Sequence, residues 1–450
     1  MMKKCIVLTI VVMMAALPLT LMAQDLGFEV APEAVNPLNV PENTKAEGVF
    51  FQGGLGIDYI QFAADLFGKL HSGSELSVEG IQGIGEKLRP RFIAGNPPDV
   101  IDNSGSGNLD NTALAVEGQL LDLTPVLDAP SLDSPGKTVR ETLFPGSQAD
   151  HVIDGKQIAL NVAYTVFGVW YNNSLFAEKG WAYPNSWDEM LSLCETIQAD
   201  GMACWTYQGQ YPQYMQFGVL EPMVYQAGGD EVWKKVDNLE PDAWRQEGIV
   251  NVVKQIAQLH EKGYILEGTA ALNHTESQTE WLKGNAAFIP CGTWLENEMK
   301  TIIPEGFEMT VGHAPGATKA VIAQGGEPFI VPANAKNPEA GMEYMRLILS
   351  KASARFFAEN VSNIMPVIGG TEGADVSSSM TSALATVEAA GNEVYVRPRF
   401  TGWYSDLNVE VRDAMGELLT GRLTPDEFID RVQTMADDIA EDEDIAKFTR

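Results

Sequence analysis

Basic residues are scarce in this chain. Its 450 residues carry 30 lysines and arginines against 61 aspartates and glutamates, a formal charge of −31. A field of that sign repels nucleic acid and anionic membrane surfaces, which argues against both as partners. Cysteine is rarer still, at four, and histidine numbers five. Neither shows C-x-x-C or clustered ligand spacing, so no metal is expected. A G-x-G-x-x-G fingerprint and a P-loop lysine are both missing, which argues against a nucleotide. No cofactor is expected.

Long apolar runs are also missing, except at the start. Lys3 and Lys4 precede an apolar stretch, 5–21, broken only by Thr9, Pro18 and Thr20. This is the pattern of a secretory signal peptide over 1–23, with Ala23 at the cut. The run is short for a spanning helix, which needs about 20 apolar residues. It lacks a Leu-x-x-Cys lipid-attachment box, so the expectation is an exported protein with no membrane insertion after cleavage. Three cysteines remain beyond the signal. Cys194 and Cys204 flank a turn at Gly201 and would be able to pair in an oxidising compartment. Cys291 is the odd one, expected as a buried thiol.

The chain beyond the signal is too long for one core, and two lobes are the natural count. Residues 24–47 are rich in Pro, Asn and Glu and read as a flexible leader. A strand at 48–51 leads through Gly53-Gly54-Leu55-Gly56 into a helix with Tyr59, Phe62, Ala63, Leu66 and Leu70 on one face. Next come a strand at 76–78, a short helix at 87–94 interrupted by Pro90, and a strand from Pro98. The last opens into Asn103-Ser104-Gly105-Ser106-Gly107. Such alternation predicts an α/β fold with doubly wound parallel sheets, which bind ligands at the carboxyl ends of their strands. Ser186-Trp187-Asp188-Glu189 and Thr424-Pro425-Asp426-Glu427 are capping boxes that open helices.

The stretch 288–299, FIPCGTWLENEM, is the most distinctive. An apolar strand breaks at Pro290, a glycine turns the chain, and Trp294, Glu296 and Asn297 stand at a helix start. A large ring beside an acid and a carboxamide suits an uncharged, hydroxyl-rich ligand.

Several segments in order resemble the extracellular solute-binding proteins of carbohydrate ABC importers, the maltose-binding-protein family. They are Phe92-Ile-Ala-Gly-Asn-Pro-Pro-Asp-Val100, Val169-Trp-Tyr-Asn-Asn-Ser-Leu-Phe176, Pro184-Asn-Ser-Trp-Asp-Glu189, Gly284-Asn-Ala-Ala-Phe-Ile289 with Gly292-Thr-Trp294, and Pro328-Phe-Ile-Val-Pro332. The Pro290–Glu298 stretch is most similar to binders of N-acetylglucosamine and chitobiose. The resemblance implies the periplasmic-binding-protein fold: two α/β lobes, 48–161 plus 310–364 and 162–309 plus 365–450. It implies a hinge crossed three times, near 161–165, 307–312 and 363–366. It also implies a monomeric periplasmic receptor that does no chemistry. Such a receptor captures a neutral or N-acetylated sugar and passes it to ABC transporter permease subunits.

The same resemblance nominates ligand-binding residues. Trp294 would stack on a sugar face, or serve as a core tryptophan. Glu296 and Asn297 would bond hydroxyls or an acetamido group, or complement the helix dipole. Trp205, Tyr207 and Gln208, on the loop after the cysteine pair, would contribute an aromatic wall or pack the lobe. Trp403 and Tyr404 match a late aromatic turn over the sugar. Tyr164 lies at the first crossing, and Asn103 and Ser104 on the loop after the Pro-Asp-Val strand. Two rivals stand beside this reading. A glycoside hydrolase would need two carboxylates about 5–10 Å apart, for which only Glu296 has a suitable context. The same fold could take a polyol or peptide, the latter drawing on Arg397 and Arg399.

Overall fold

The computed structural model describes residues 26–450 except Pro145, Lys319, Ala320, 391–393 and Val396. The expected signal peptide therefore lies outside the described residues. The expected α/β architecture is present. Strands run β1 Lys45–Phe51, β2 Glu75–Ile81, β3 Val100–Asp102, β4 Val152–Ile153, β5 Lys156–Gln157, β6 Leu160–Asn172, β7 Ala203–Trp205, β8 Ala286–Gly292, β9 Met309–Gly312, β10 Val321–Ile330 and β11 Val394–Tyr395. One path of hydrogen-bonded neighbours reads β2-β1-β3-β10-β6-β8-β7, with β9 on β6 and β11 on β10. The pairs β1–β2, β1–β3 and β7–β8 are parallel, while β10 and β8 run antiparallel to β6.

β6 is the spine. Residues 160–170 are all buried, as expected of a strand covered on both faces. Its first residues, Leu160, Val162 and Ala163, belong to a core built with Phe50, Phe329 and Tyr344. Tyr164, Val166 and Trp170 join a second core with Trp281 and Ile289. Phe167 and Val169 join a third, which holds Trp205, Trp233, Trp244 and Phe400. The chain thus changes core within β6. β9 pairs with the far end of β6 (Val169↔Gly312), and Ala314 and Ala317 still pack in the third core. The return is made by β10, whose Gly326 pairs with Ala163 and whose Phe329 enters the first core. The Tyr164 amide donates to the Ile364 carbonyl (2.7 Å) and the Phe144 amide to that of Pro366 (2.8 Å).

Local details depart from the sequence expectation. β8 does not break at Pro290. Its pairing with β7 involves only Ala286 and Phe288, and Pro290 pairs with Val169 on the other side, so the missing N–H is not needed. The helix Ile84–Ile93 carries Pro90 within it. β1 starts three residues before Gly48. Residues 26–44, expected as a flexible leader, lie packed on the first core through Phe28, Val30, Leu38 and Val40. The Arg346 guanidinium donates there to the Ala34 carbonyl (2.9 Å). Arg346 also grips Glu343, which in turn meets His71 at 3.0 Å; both side chains of the Arg346–Glu343 pair are fully buried. Both helices form where read; Thr424 and Glu427 make the full capping box, whereas Ser186 accepts from the Glu189 amide but the Glu189 carboxylate accepts from the Asn185 amide instead of closing the box.

Candidate functional site

A cleft of about 540 Å³ opens where the cores meet. One wall comes from the loop after β3, with Asn103, Ser104 and 108–112. The floor comes from β6 (Asn161, Thr165, Phe167) and β10 (326–328). The other wall carries Arg397, Arg399 and Trp403, and Trp294 closes the back. The loop after β3 lies at a strand's carboxyl end, where an α/β sheet leaves room for a ligand, while the floor residues sit within β6 and β10.

Trp294 is fixed by its surroundings. It is half-buried, packs against all three cores and still lines the cleft. Phe167 meets its ring edge-on at 5.3 Å and Tyr214 at 5.9 Å. A Cβ on Gly54 would lie 3.3 Å from it, and one on Gly292 would collide with it at 2.2 Å. Gly292 is therefore required by the ring's position.

Arg397 is built as deliberately. A single π-helical turn, Gln216–Leu220, brings Phe217 under its guanidinium, 3.7 Å from the ring centre. Its Nε donates to Glu221 at 3.3 Å, and Glu221 is fully buried. Burial holds the Glu221 carboxyl above its ordinary pKa despite the arginine. Arg397 Nη2 is a buried donor with no partner.

The loop after β3 is tied to itself. The Asn103 amide donates to the Leu109 carbonyl (2.8 Å) and to Asn111 Oδ1 (2.6 Å), and its Oδ1 accepts from the Leu109 amide (2.9 Å). Asp110 caps the next helix by accepting from the Ala113 amide. Across the cleft, the Arg399 guanidinium lies 5.6 Å from the Trp403 ring centre. On the floor, His151 Nε2 meets Asn161 Oδ1 at 3.0 Å.

Of the residues nominated from sequence, Asn103, Ser104, Trp294 and Trp403 line the cleft. The others do not. Glu296 accepts from the hydroxyls of Ser377 (2.5 Å) and Ser379. Asn297 donates to the Gly54 carbonyl at 2.6 Å. Trp205 and Tyr207 are buried in the third core, and burial pushes the Tyr207 phenol up to about 12. Gln208 donates to the Pro290 carbonyl (3.0 Å) inside that lobe. Tyr404 accepts from the Phe448 amide (3.0 Å). Tyr164 packs on Phe144 at 5.1 Å in the second core, and burial raises its pKa. Conversely, Thr165, Phe167, His151 and Glu327 line the cleft without having been nominated. Glu327 had a readable signal: an acid bracketed by Gly325-Gly326 and Pro328 inside a strand-like run.

Cys194 and Cys204 form a disulfide with Cα atoms 5.1 Å apart, and Cys291 is a buried free thiol. No helix among the described residues is long and apolar enough to cross a membrane.

Comparison with known proteins agrees with this architecture. The model of the family "Bacterial extracellular solute-binding protein" matches residues 63–385. The diacetylchitobiose binding protein NgcE of Streptomyces coelicolor is 31% identical over 436 residues, covering 94% of this chain and 91% of that protein. Among solved structures, a chitin oligosaccharide binding protein superposes with a TM-score of 0.65 at 22% identity, covering 85% of this chain and 94% of the other. Ligand-free RafE of Streptococcus pneumoniae gives 0.69 at 18% identity, covering 88% and 98%. Cleft, sheet order and sequence match converge: the chain belongs to the family of bacterial extracellular solute-binding proteins.

Proposed function

We propose that this protein is the exported receptor of a carbohydrate importer, and that it captures N-acetylated chito-type sugars in the cleft. It holds the sugar for the permease of an ABC transporter and does not alter it. The observation that carries this reading is Trp294, a ring immobilised by three cores that keeps one part facing the cleft. A fixed ring buries the apolar face of a pyranose with no rotor left to freeze. Trp403 stands on the opposing wall.

The polar groups suit an uncharged ligand. The charge of Arg397 is met by Glu221, so Arg397 offers an N–H at Nη2 rather than a net charge. That donor fits a hydroxyl or an acetamide carbonyl and makes no demand for a carboxylate. The relative that binds diacetylchitobiose favours the N-acetylated class. A hydrolase finds little support in the acids present. Asp110 is committed to a helix cap, and the carboxyl of Glu327 is set against that of the fully buried Asp102 rather than apart from a second acid across the cleft.

The test is a thermal-shift and calorimetric panel of diacetylchitobiose, N-acetylglucosamine, maltose and a dipeptide mixture. A ligand that binds only the folded state raises Tm. The expected result is a shift with the N-acetylated sugars, and an unchanged sugar after prolonged incubation. A shift with dipeptides and none with any sugar would overturn the reading.

A further inference from the structure

Glu327 takes no part in ring stacking, yet its backbone is unusual. It has φ +54°, a conformation that side-chain-bearing residues rarely adopt. Glu327 is among the residues that line the cleft floor, and its Oε2 is buried there. Behind it stands Asp102, fully buried at the end of β3. The Ser104 hydroxyl donates to Asp102 Oδ1. The two carboxyls lie close enough to act on one another, and Asp102 Oδ2 and Glu327 Oε2 are buried without a hydrogen-bond partner.

Two carboxyls in contact cannot both ionise away from water, so the pair holds one proton between them. Burial, followed by the charge of Glu327, pushes the Asp102 pKa well above its ordinary value, and burial raises that of Glu327. The groups acting on the pair are the hydroxyl of Ser104, the Phe51 backbone, Tyr59 and Tyr344. Among the described residues no lysine or arginine forms an ion pair with either carboxyl. The other charged groups of the cleft are engaged: Asp110 at its cap, His151 on Asn161, Arg397 on Glu221, and Arg399 beside Trp403.

We propose that Asp102 and Glu327 form an ammonium-binding subsite on the cleft floor, which takes the protonated amine of a 2-amino-2-deoxy sugar. The proposal rests on the sugar-receptor reading of the cleft and extends it to deacetylated units. An ammonium brings three donors to oxygens that lack them. As it enters, the shared proton leaves to solvent, so one positive charge replaces another and the floor keeps its net charge.

The experiment is titration calorimetry with diacetylchitobiose and with its fully deacetylated counterpart. Each is run at one mildly acidic pH in two buffers of different ionisation enthalpy. The deacetylated sugar is expected to bind with release of about one proton, and the diacetylated sugar with none. Glu327→Gln is expected to shift the affinity ratio of the two sugars by at least about tenfold toward the acetylated one. Asp102→Asn serves the same purpose if Glu327→Gln fails to fold, and the proton count on the wild-type protein needs no variant. Binding of the diacetylated sugar alone overturns the subsite and leaves the receptor reading standing. Equal loss of both sugars in the variant, or no proton release, also overturns it. Binding of neither sugar overturns the receptor reading and the subsite with it.

Discussion

The Thr112 hydroxyl donates to the Gly402 carbonyl oxygen at 3.0 Å, a bond between residues 290 apart in sequence that joins the two walls of the cleft. It sits one residue from Trp403 and one from Asn111, so it fixes the spacing of the walls where they flank a ligand. A hydrogen bond of this kind contributes roughly 0.5–1.5 kcal/mol. Thr112→Val removes it with little change of shape. Sugar affinity, measured by calorimetry, should fall by a factor of about 2 to 12, the same energy expressed as a ratio. An unchanged Kd would show that the bond is no part of the liganded state.

Gly292 and Trp294 make a second test. An alanine at 292 places its Cβ 2.2 Å from the indole ring. The ring is hemmed in by Gly54 on one side and Phe167 and Tyr214 on others, which leaves only the cleft side open to it. Gly292→Ala should therefore displace the stacking surface, at an overpacking cost of about 1–3 kcal/mol. Trp294→Ala should cost on the order of 1–4 kcal/mol of binding. The two variants are expected to lose sugar affinity in parallel while both still fold. Full affinity in Gly292→Ala would mean that the ring's position does not matter to the ligand.

The architecture was legible because it rests on local pattern: capping boxes, strand–helix alternation and a both-faces-buried run at β6. The site was legible only in part, and geometry explains why. Tyr164 was nominated, yet Thr165 and Phe167 line the cleft while Tyr164 and Val166 face a core. A strand alternates its faces, so being one residue off selects the wrong side. Glu296 and Asn297 follow Trp294 into the helix Leu295–Met299. Each step along a helix turns the side chain by about 100°, which carries Glu296 to Ser377 and Ser379 at the start of the helix Ser378–Ala390 and Asn297 to Gly54. The Asp102–Glu327 contact joins strands far apart in the chain, and no local spacing announces it.

The disulfide gives a prediction about stability alone. Cys194 lies on the helix Trp187–Ala199 and Cys204 on β7, and both are fully buried. Closing a loop of 10 residues removes unfolded-state freedom worth about 2–4 kcal/mol. Replacing both cysteines with alanine avoids burying hydroxyls without partners. Tm should drop by several degrees. Sugar affinity should hold, since neither cysteine lines the cleft. A melting temperature equal to wild type would show that the bond is absent or without effect.

The acid side of the stability profile should be governed by Glu343. Burial opposes its charge, but hydrogen bonds from Arg346 and His71 offset this and hold its pKa below the ordinary value of 4.5. A carboxyl depressed in the folded state contributes stability that is complete above its unfolded pKa and is lost as pH falls through the folded value. The buried carboxyls Asp102, Glu221 and Asp237 act in the opposite sense. Burial raises their pKa values, so their contribution is present at low pH and lost as pH rises through those raised values. Glu343→Gln leaves Arg346 buried with the carbonyls of Pro130 and Ala34 and no charge to balance it. Breaking such a pair costs about 3–5 kcal/mol, so the variant should melt well below wild type at pH 7. Its Tm should also fall less steeply than that of wild type on acidification below the carboxylate range, because the group responsible is gone. Parallel Tm–pH curves would mean that Glu343 titrates alike in the folded and unfolded chains, and that Arg346 does not hold its charge.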